Sequence, residues 1–573
     1  KENGYNVISW QQVIDAENGK GTLPDNAVLL SFDDGYETMY SVVFPLLKAY
    51  NYPAVFAPVT GWLDTPADQK IAYADKMLDR SVFATWSQVK EMEQSGLVEV
   101  ASHTHNLHNG INANPSGGQL PSVIAPEYKN GKYETEDAYK NRLKSDFTRS
   151  VQTLVNHIGN KPRVMVWPYG QFNDVAVQLA RQAGMPHYFS LGEKIINKVG
   201  DKHIGRLLLN AETDLNTVKN YLDGIDESKQ IQRVLHVDLD YVYDADKAQQ
   251  AKNLDKLIDR IYRYGVTTVY LQAFSDPDGD GVADALYFPN KYLPVRDDIF
   301  GRIAWQLQTR AGVQVYAWMP VLAFDLRKGV KEAEYVIDSR TGKPSTKAYL
   351  RLSPYNKQNV EIIKSIYNDL SFYAKFNGIL FHDDAFLTDF EGAEGDHAEG
   401  MVSPQAKQKT QDLIQLTHQL TDALKPYFLR GSYSLKTARN LYASVITNPN
   451  AEEWLAQNLK TLTDNYDTTA IMAMPYMENE QPISQKEAYQ WFASLIENVK
   501  AQAPLEKVLF EFQAVNWRTQ KPIPESELID WMTLLQKNHI YSYGYYPDNF
   551  LTNQPDMNKM RPYFSVNTNA GKK

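Results

Sequence analysis

Eight short apolar runs recur between residues 231 and 573, and this repetition constrains the fold more than any other feature of the chain. They are RVLHVDLD, TTVYLQAF, VQVYAWMPVL, GILFHDDAF, YFLRGSYS, TAIMAMPY, KVLFEFQA and IYSYGYY. The runs share a habit: apolar at the start, with Asp, Glu, Trp, Tyr or Arg towards the end. Helical or irregular stretches separate them. Eight β units over about 340 residues predict a (β/α)8 barrel with long loops, whose functional groups gather at the C-terminal ends of its strands.

Residues 1–225 alternate in the same way on a smaller scale. NAVLLSFDDG, YPAVFAPV, LVEVASHTH and RVMVWPYG read as strands, and SVVFPLLKAYN, ATWSQVKEMEQSG and DVAVQLARQAG as helices. Strand–helix alternation predicts βαβ units around a parallel sheet. Residues 109–146 break the rhythm with Gly, Pro, Asn and charges, and read as a long surface excursion. The turn-rich stretch DGIDESKQ (223–230) is the linker candidate. It divides the chain into a first domain, 1–225, and a second, 231–573, both α/β.

The 573 residues carry a formal net charge of −10, which excludes the basic surface expected of a nucleic-acid binder. No run of 18 or more apolar residues is present, so no membrane-spanning helix is expected. The opening KENGYNVISW lacks the pattern of a signal peptide, so any targeting segment is removed or never existed. There are no cysteines, hence no disulfides, thiolate metal sites or cysteine nucleophile. Tyrosine (36) and tryptophan (10) are abundant, and such rings suit stacking on sugars.

Within SFDDGY, Asp33 and Asp34 stand side by side where an apolar strand ends. Like charges this close disfavour each other's ionisation, so a cation between or beside them is expected. ASHTHNLH closes another strand with His103, His105 and His108. One carboxylate and two neutral imidazoles suit one divalent ion of the Zn, Fe, Co or Ni type, with positions left open for water and substrate. One Asp would bind the ion and the other act as base on water. The structural alternative is an Asp pair capping the next helix beside a polar histidine loop.

These segments resemble the polysaccharide deacetylases of the NodB-homology type, carbohydrate esterase family 4. SFDDGY is similar to their first motif, SHTHNLH to the second and WPYG to the third; TWSQVKEMEQSGLVEV is also similar to that family. The resemblance implies a distorted (β/α) barrel that hydrolyses the N-acetyl amide of GlcNAc-type polymers with a bound divalent metal. It implies Asp33 as base and Asp34, His103 and His108 as metal ligands. It further implies that Tyr169, after Pro168, holds the oxyanion through its backbone N–H. His103 and His108 are five residues apart where four is usual, with Leu107 at the expected place, so His105 is a rival ligand. Trp167 stands where many members carry Arg. Both departures match the PgaB/HmsF type, the poly-β-1,6-N-acetylglucosamine (PNAG) N-deacetylases, which add a second barrel that HVDLDYVYD, LQAFSDPDGDG, GILFHDD, KTARN and AIMAMPY resemble. In that type the general acid is a histidine upstream of the first Asp; no histidine precedes His103 here, so that position is expected to lie before Lys1. The resemblance also implies the periplasmic face of a Gram-negative outer membrane and an export porin as partner.

In the second half, Asp238, Asp240, Asp383, Asp384 and Glu511 lie at or in the strand-like runs. Trp318, Tyr476, Trp517, Tyr543 and Tyr545 lie near other strand ends. Carboxylates ringed by aromatics describe a sugar groove. The resemblance implies binding of partly deacetylated PNAG across Asp238, Asp240, Trp318, Tyr476 and Glu511, and paired carboxylates can cleave a glycosidic bond. Asp383 or Asp384 is the acid candidate; the alternative is a barrel that only binds. DPDGDGVAD (276–284) resembles the start of a calcium loop, but Tyr287 stands where the loop needs Glu, which favours a solvated turn. Two other readings compete for the whole chain: a non-catalytic glycan-binding or export protein, and a two-His-one-carboxylate iron oxygenase. The oxygenase leaves the second Asp and WPYG without a role.

Overall fold

In the computed structural model, the described residues are 4–192, 196–224, 231–345, 348–392, 402–431 and 434–566. The linker expected at 223–230 lies, from residue 225 on, outside them. The chain divides into two compact units, Lys1–Ser228 with Leu429–Ser434, and Lys229–Phe428 with Leu435–Lys573.

The first unit is built on six parallel strands. β1 (Ser31–Asp34), β2 (Ala54–Pro58) and β3 (Val98–Val100) form one sheet, and β4 (Val164–Val166), β5 (His187–Leu191) and β6 (His203–Arg206) another. Ser102 joins them: its N–H donates to Val164 O at 3.1 Å, and its carbonyl accepts from Val166 N at 2.8 Å. The result is a curved wall of parallel strands with helices outside, an incomplete (β/α) barrel. Val55, Phe56 and Ala57 are wholly buried, as a strand covered on both faces requires. The helix Trp86–Gln94 starts where Thr85 and Gln88 form a reciprocal cap.

The surface excursion expected at 109–146 is corrected. Two short hairpins (Gly110–Asn112 with Gln119–Pro121, and Tyr128–Lys129 with Lys132–Tyr133) lead into a 23-residue helix, Glu136–Ile158. Val123, Ile124, Ala125, Tyr139, Leu143 and Phe147 are buried. The charges that signalled a loop lie on the outer face of that helix, whose apolar residues recur every three to four positions.

The second unit is a closed barrel of eight parallel strands. They are β7 (Arg233–Val237), β8 (Thr268–Gln272), β9 (Gln314–Met319), β10 (Gly378–Phe381), β11 (Lys436–Tyr442), β12 (Thr468–Met472), β13 (Val508–Gln513) and β14 (Tyr543–Tyr546), with β14 closing onto β7. Seven of the eight predicted runs coincide with these strands. The fifth does not. YFLRGSYS is a turn and irregular segment where described, and the strand is KTARNLY. Arg439 and Asn440 are buried inside it. Arg439 donates to Tyr466 Oη and Ala385 O, and Asn440 to Glu511. A strand with buried polar groups on both faces, Asn440 towards the barrel interior and Arg439 towards Tyr466 and the helix layer, has no apolar signature.

Candidate active sites

The first centre lies at the C-terminal ends of β1 and β3. Consecutive strand residues face opposite sides, yet Asp33 and Asp34 serve one centre because Asp34 ends the strand with φ +70°. Thr104 (φ +71°) and Tyr169 (φ +58°) adopt the same left-handed conformation nearby. Non-glycine residues resist it, and strain of this kind collects at functional sites.

Asp34 Oδ1 lies 3.3 Å from His103 Nε2 and 3.2 Å from His108 Nε2. These three are a group whose ligand atoms all fall within 4.8 Å of one another. His103 Nδ1 donates to Val166 O at 2.7 Å, which leaves the Nε2 lone pair facing Asp34. Tyr73 donates to Asp34 Oδ2 at 2.8 Å, so Oδ1 is the oxygen turned to the imidazoles. Two histidine nitrogens and one carboxylate oxygen, with His103 and Asp34 each held by a hydrogen bond from behind and His108 packed between aromatic rings, are a donor set that fits a borderline divalent ion. Burial disfavours the Asp34 carboxylate, but His103 and His108 outweigh it and hold Asp34 far below the usual range.

His105 points elsewhere. Its Nδ1 shares a hydrogen bond with Thr60 Oγ1 at 2.9 Å, and its N–H donates to Asp146 at 2.8 Å, as does that of Asn106 at 2.7 Å. The extra residue in the histidine spacing is absorbed by this loop, clamped by Asp146, with Thr104 left-handed at its start.

Arg206, at the end of β6, grips Asp33 with two hydrogen bonds of 2.8 and 2.9 Å and also reaches Ser31. Burial disfavours the Asp33 carboxylate, but the Arg206 guanidinium outweighs it and holds Asp33 below the usual range. The Tyr169 ring packs on His108 at 4.5 Å, and Trp62 packs on it at 5.1 Å. Pro168 is buried beneath. Trp167 is wholly buried against Phe147 and Phe172. Sequence reasoning missed Arg206 and Tyr73, because neither sits in a motif and each reaches the site from an element distant in the chain.

The second centre is the mouth of the closed barrel. Asp383 follows β10 and accepts from Tyr349 Oη (2.9 and 3.0 Å) and Tyr442 Oη (2.8 Å), with His382 Nδ1 at 3.0 Å. Burial disfavours the His382 imidazolium, but Asp383 and Asp384 push it up to about 10. Asp383 is held below the usual range: burial opposes this, and His382, Tyr442 and Tyr349 prevail. Trp318, at the end of β9, lies among His236, Phe274, His382 and Tyr546. Asp238, at the end of β7, is buried; its Oδ2 is 3.5 Å from Tyr546 Oη, and its Oδ1 has no hydrogen-bond partner among the described residues. Trp517 packs against Tyr546 at 6.2 Å.

Several candidates leave the groove. Asp384 is wholly buried and accepts the N–H groups of Val321, Leu322 and Ala323 at 2.6–3.0 Å, so it ties down the loop after β9. Glu511 lies inside the barrel, bonded to His236 at 2.8 Å and Asn440 at 2.7 Å. Asp240 accepts from Ser275, Asp276 N, Tyr287 and Arg296, and so fixes the segment after β8. Tyr543 and Tyr545 are wholly buried. Tyr476 is half-buried, its hydroxyl donating to Glu527 at 2.6 Å. Asp276, Asp278 and Asp280 cluster, with Asp276 and Asp280 accepting amides of their own turn. The physical reason is common to all. Alternation and charge mark a strand end but not which of two neighbouring carboxylates faces out.

Comparison with known proteins divides the chain in the same place. The family described as polysaccharide deacetylase matches residues 20–188, and that described as hypothetical glycosyl hydrolase family 13 matches 236–546. A poly-β-1,6-N-acetyl-D-glucosamine N-deacetylase of Escherichia coli is 41% identical over 99% of this chain and 87% of its own length. Among solved structures, the PgaB (BpsB) glycoside hydrolase domain of Bordetella bronchiseptica is 40% identical with a TM-score of 0.54, covering 59% of this chain and 99% of that one. A de-N-acetylase of Aggregatibacter actinomycetemcomitans is 66% identical with a TM-score of 0.38, covering 38% and 84%. The near full-length identity and the two matched families lead to one conclusion: this chain belongs to the poly-β-1,6-N-acetyl-D-glucosamine N-deacetylase family, in its two-domain form with a glycosyl-hydrolase-type barrel.

Proposed function

We propose that Asp33, Asp34, His103, His108 and Tyr169 carry the removal of acetyl groups from poly-β-1,6-N-acetylglucosamine, the activity to which membership of this family assigns the chain. The observation that carries this reading is the convergence of Asp34, His103 and His108 beside an Asp33 that Arg206 keeps ionised and oriented. A divalent ion held by the three ligands would supply Lewis-acid polarisation of the acetamide carbonyl and of water. Asp33 takes the proton of the attacking water as general base. Tyr169, left-handed and with its ring on His108, is the candidate backbone N–H donor to the tetrahedral oxyanion, an interaction worth several kcal/mol. The aromatic wall of Trp62, Tyr73 and Tyr169 around His108 shields the centre from bulk water.

The second barrel binds the deacetylated polymer and cleaves it. Asp383 offers a carboxylate to the free amines, and Trp318 and Tyr546 offer rings to the sugar face. The family also supports a place on the periplasmic side of the outer membrane and delivery of product to an export porin. No helix among the described residues is long and apolar enough to cross a membrane. Incubation of the metal-loaded protein with PNAG oligomers should release acetate, and Asp33→Asn should bind metal but release none. Metal binding with no acetate from any PNAG oligomer would overturn the reading.

A further inference from the structure

We propose that Asp238 is the proton donor for glycosidic cleavage in the second barrel, opposite Asp383. This rests on the reading of the barrel as a hydrolase and names the residue that protonates the leaving oxygen.

Three observations place it. Asp238 and Asp383 stand at the mouth of the closed barrel, at the ends of its first and fourth strands. A chain of contacts links them: Tyr546 hydroxyl 3.5 Å from Asp238, Trp318 5.5 Å from Tyr546 by ring centres, His382 5.3 Å from Trp318, and Asp383 3.0 Å from His382. The two carboxyl groups are held in opposite ways. Asp383 has two phenol donors and the His382 imidazole at ion-pair distance, which suit an anion. Asp238 has a single long contact, and its Oδ1 has no partner although nine-tenths of the residue is buried. The Trp318 indole N–H is likewise buried without a partner beside it. Unpaired buried polar atoms are costly. Asp238 Oδ1 and the Trp318 N–H, both unpartnered among the described residues, mark where substrate oxygens and hydroxyls complete the bonding.

The groups that act most strongly on Asp238 are Asp240, Asp276 and Asp548 and the Tyr546 hydroxyl, with the Tyr241 hydroxyl beside it; His236 packs on Tyr546, and Arg296 is paired with Asp240. Burial, then Asp240 and Asp276, push its carboxyl up to about 7, so at neutral pH a large fraction carries a proton. Two carboxyl groups whose surroundings drive their affinities for protons apart are the pattern of an acid and its partner. In the step, the C1–O bond breaks and its electron pair leaves with the bridging oxygen, which takes the Asp238 proton. Water adds at C1 and gives its proton to Asp383, whose negative charge also steadies the positive charge that develops on the sugar. Exchange with solvent returns each group to its starting state.

The test uses the full chain, partly deacetylated PNAG and a 2,4-dinitrophenyl β-glycoside of a glucosamine disaccharide, whose leaving group needs no proton. Asp238→Asn should slow chain scission about 10²–10⁴-fold and keep most of its dinitrophenyl release. Its scission should also lose the fall above about pH 7 that the unaltered protein shows. Asp383→Asn should lose both activities. If the unaltered protein never shortens the polymer, the hydrolase reading fails. If it does, and Asp238→Asn shortens it equally or loses both substrates in parallel, the assignment of Asp238 is overturned.

Discussion

Asp384→Ala should destabilise the second barrel rather than abolish a proton transfer. Its carboxylate accepts three backbone N–H groups, from Val321, Leu322 and Ala323, at 2.6–3.0 Å, and none of these residues is exposed. A hydrogen bond to a charged group contributes about 1.5–3 kcal/mol, and a buried donor left unpaired costs about 1–3 kcal/mol. The three share Oδ2, so their contributions do not add fully, and a total of about 3–5 kcal/mol follows. The assay is hydrogen exchange read by mass spectrometry on the peptide spanning 318–324, which reports on these amides directly. At about 1.4 kcal/mol per decade, exchange should accelerate about 10²–10⁴-fold, with a lower urea midpoint. Asp383→Asn should leave that peptide protected. Unchanged protection in Asp384→Ala, with chain scission abolished, would refute the structural role and return Asp384 to the chemistry.

Asp238→Asn should raise stability at alkaline pH. The folded carboxyl titrates at about 7 against an ordinary 3.8. Between those values the unfolded chain binds fewer protons than the native one, so native stability falls as pH rises through that window; about 3 units at 1.36 kcal/mol each gives about 4 kcal/mol lost by pH 8. Denaturation at pH 5 and pH 8 should therefore show a loss of about 3 kcal/mol, the part of that total falling between pH 5 and 7, in the unaltered protein that the variant lacks. Tyr73→Phe removes the hydrogen bond behind Asp34 and should weaken metal binding about 10–100-fold, measured by chelator competition. Arg206→Met should cut acetate release about 10²-fold or more while metal content stays constant, because Asp33 loses both its orientation and its counter-charge.

Much of this molecule was legible before folding, and the reasons differ by site. The motifs at the first centre are local: Asp33 and Asp34 are neighbours, and His103 and His108 share one loop, so their chemistry and spacing appear together in the sequence. Arg206 and Tyr73 reach the same centre by tertiary folding alone, and isolated Arg and Tyr residues carry no signal. In the second barrel the strand ends were visible, but the choice among carboxylates was not. Asp383 and Asp384 are identical in type and adjacent, and only the path of the loop at Val321–Ala323 decides which one is consumed by backbone. Glu511 illustrates the same point one layer deeper, since a polar barrel interior made of His236, Asn440 and Glu511 reads like a groove. The fifth strand was missed for a related cause, its buried polar neighbours Arg439 and Asn440.

The most direct test of the central claim is acetate release from PNAG oligomers by the chelated protein as zinc or cobalt is titrated back, with His108→Ala and His105→Ala in parallel. The account predicts that acetate release is silent after chelation and returns to saturation at one ion per chain. His105→Ala should be restored like the unaltered protein, and His108→Ala should not at matched metal. Restoration of His108→Ala together with loss in His105→Ala would contradict the ligand set, and acetate release indifferent to metal in every case would contradict the metal centre itself.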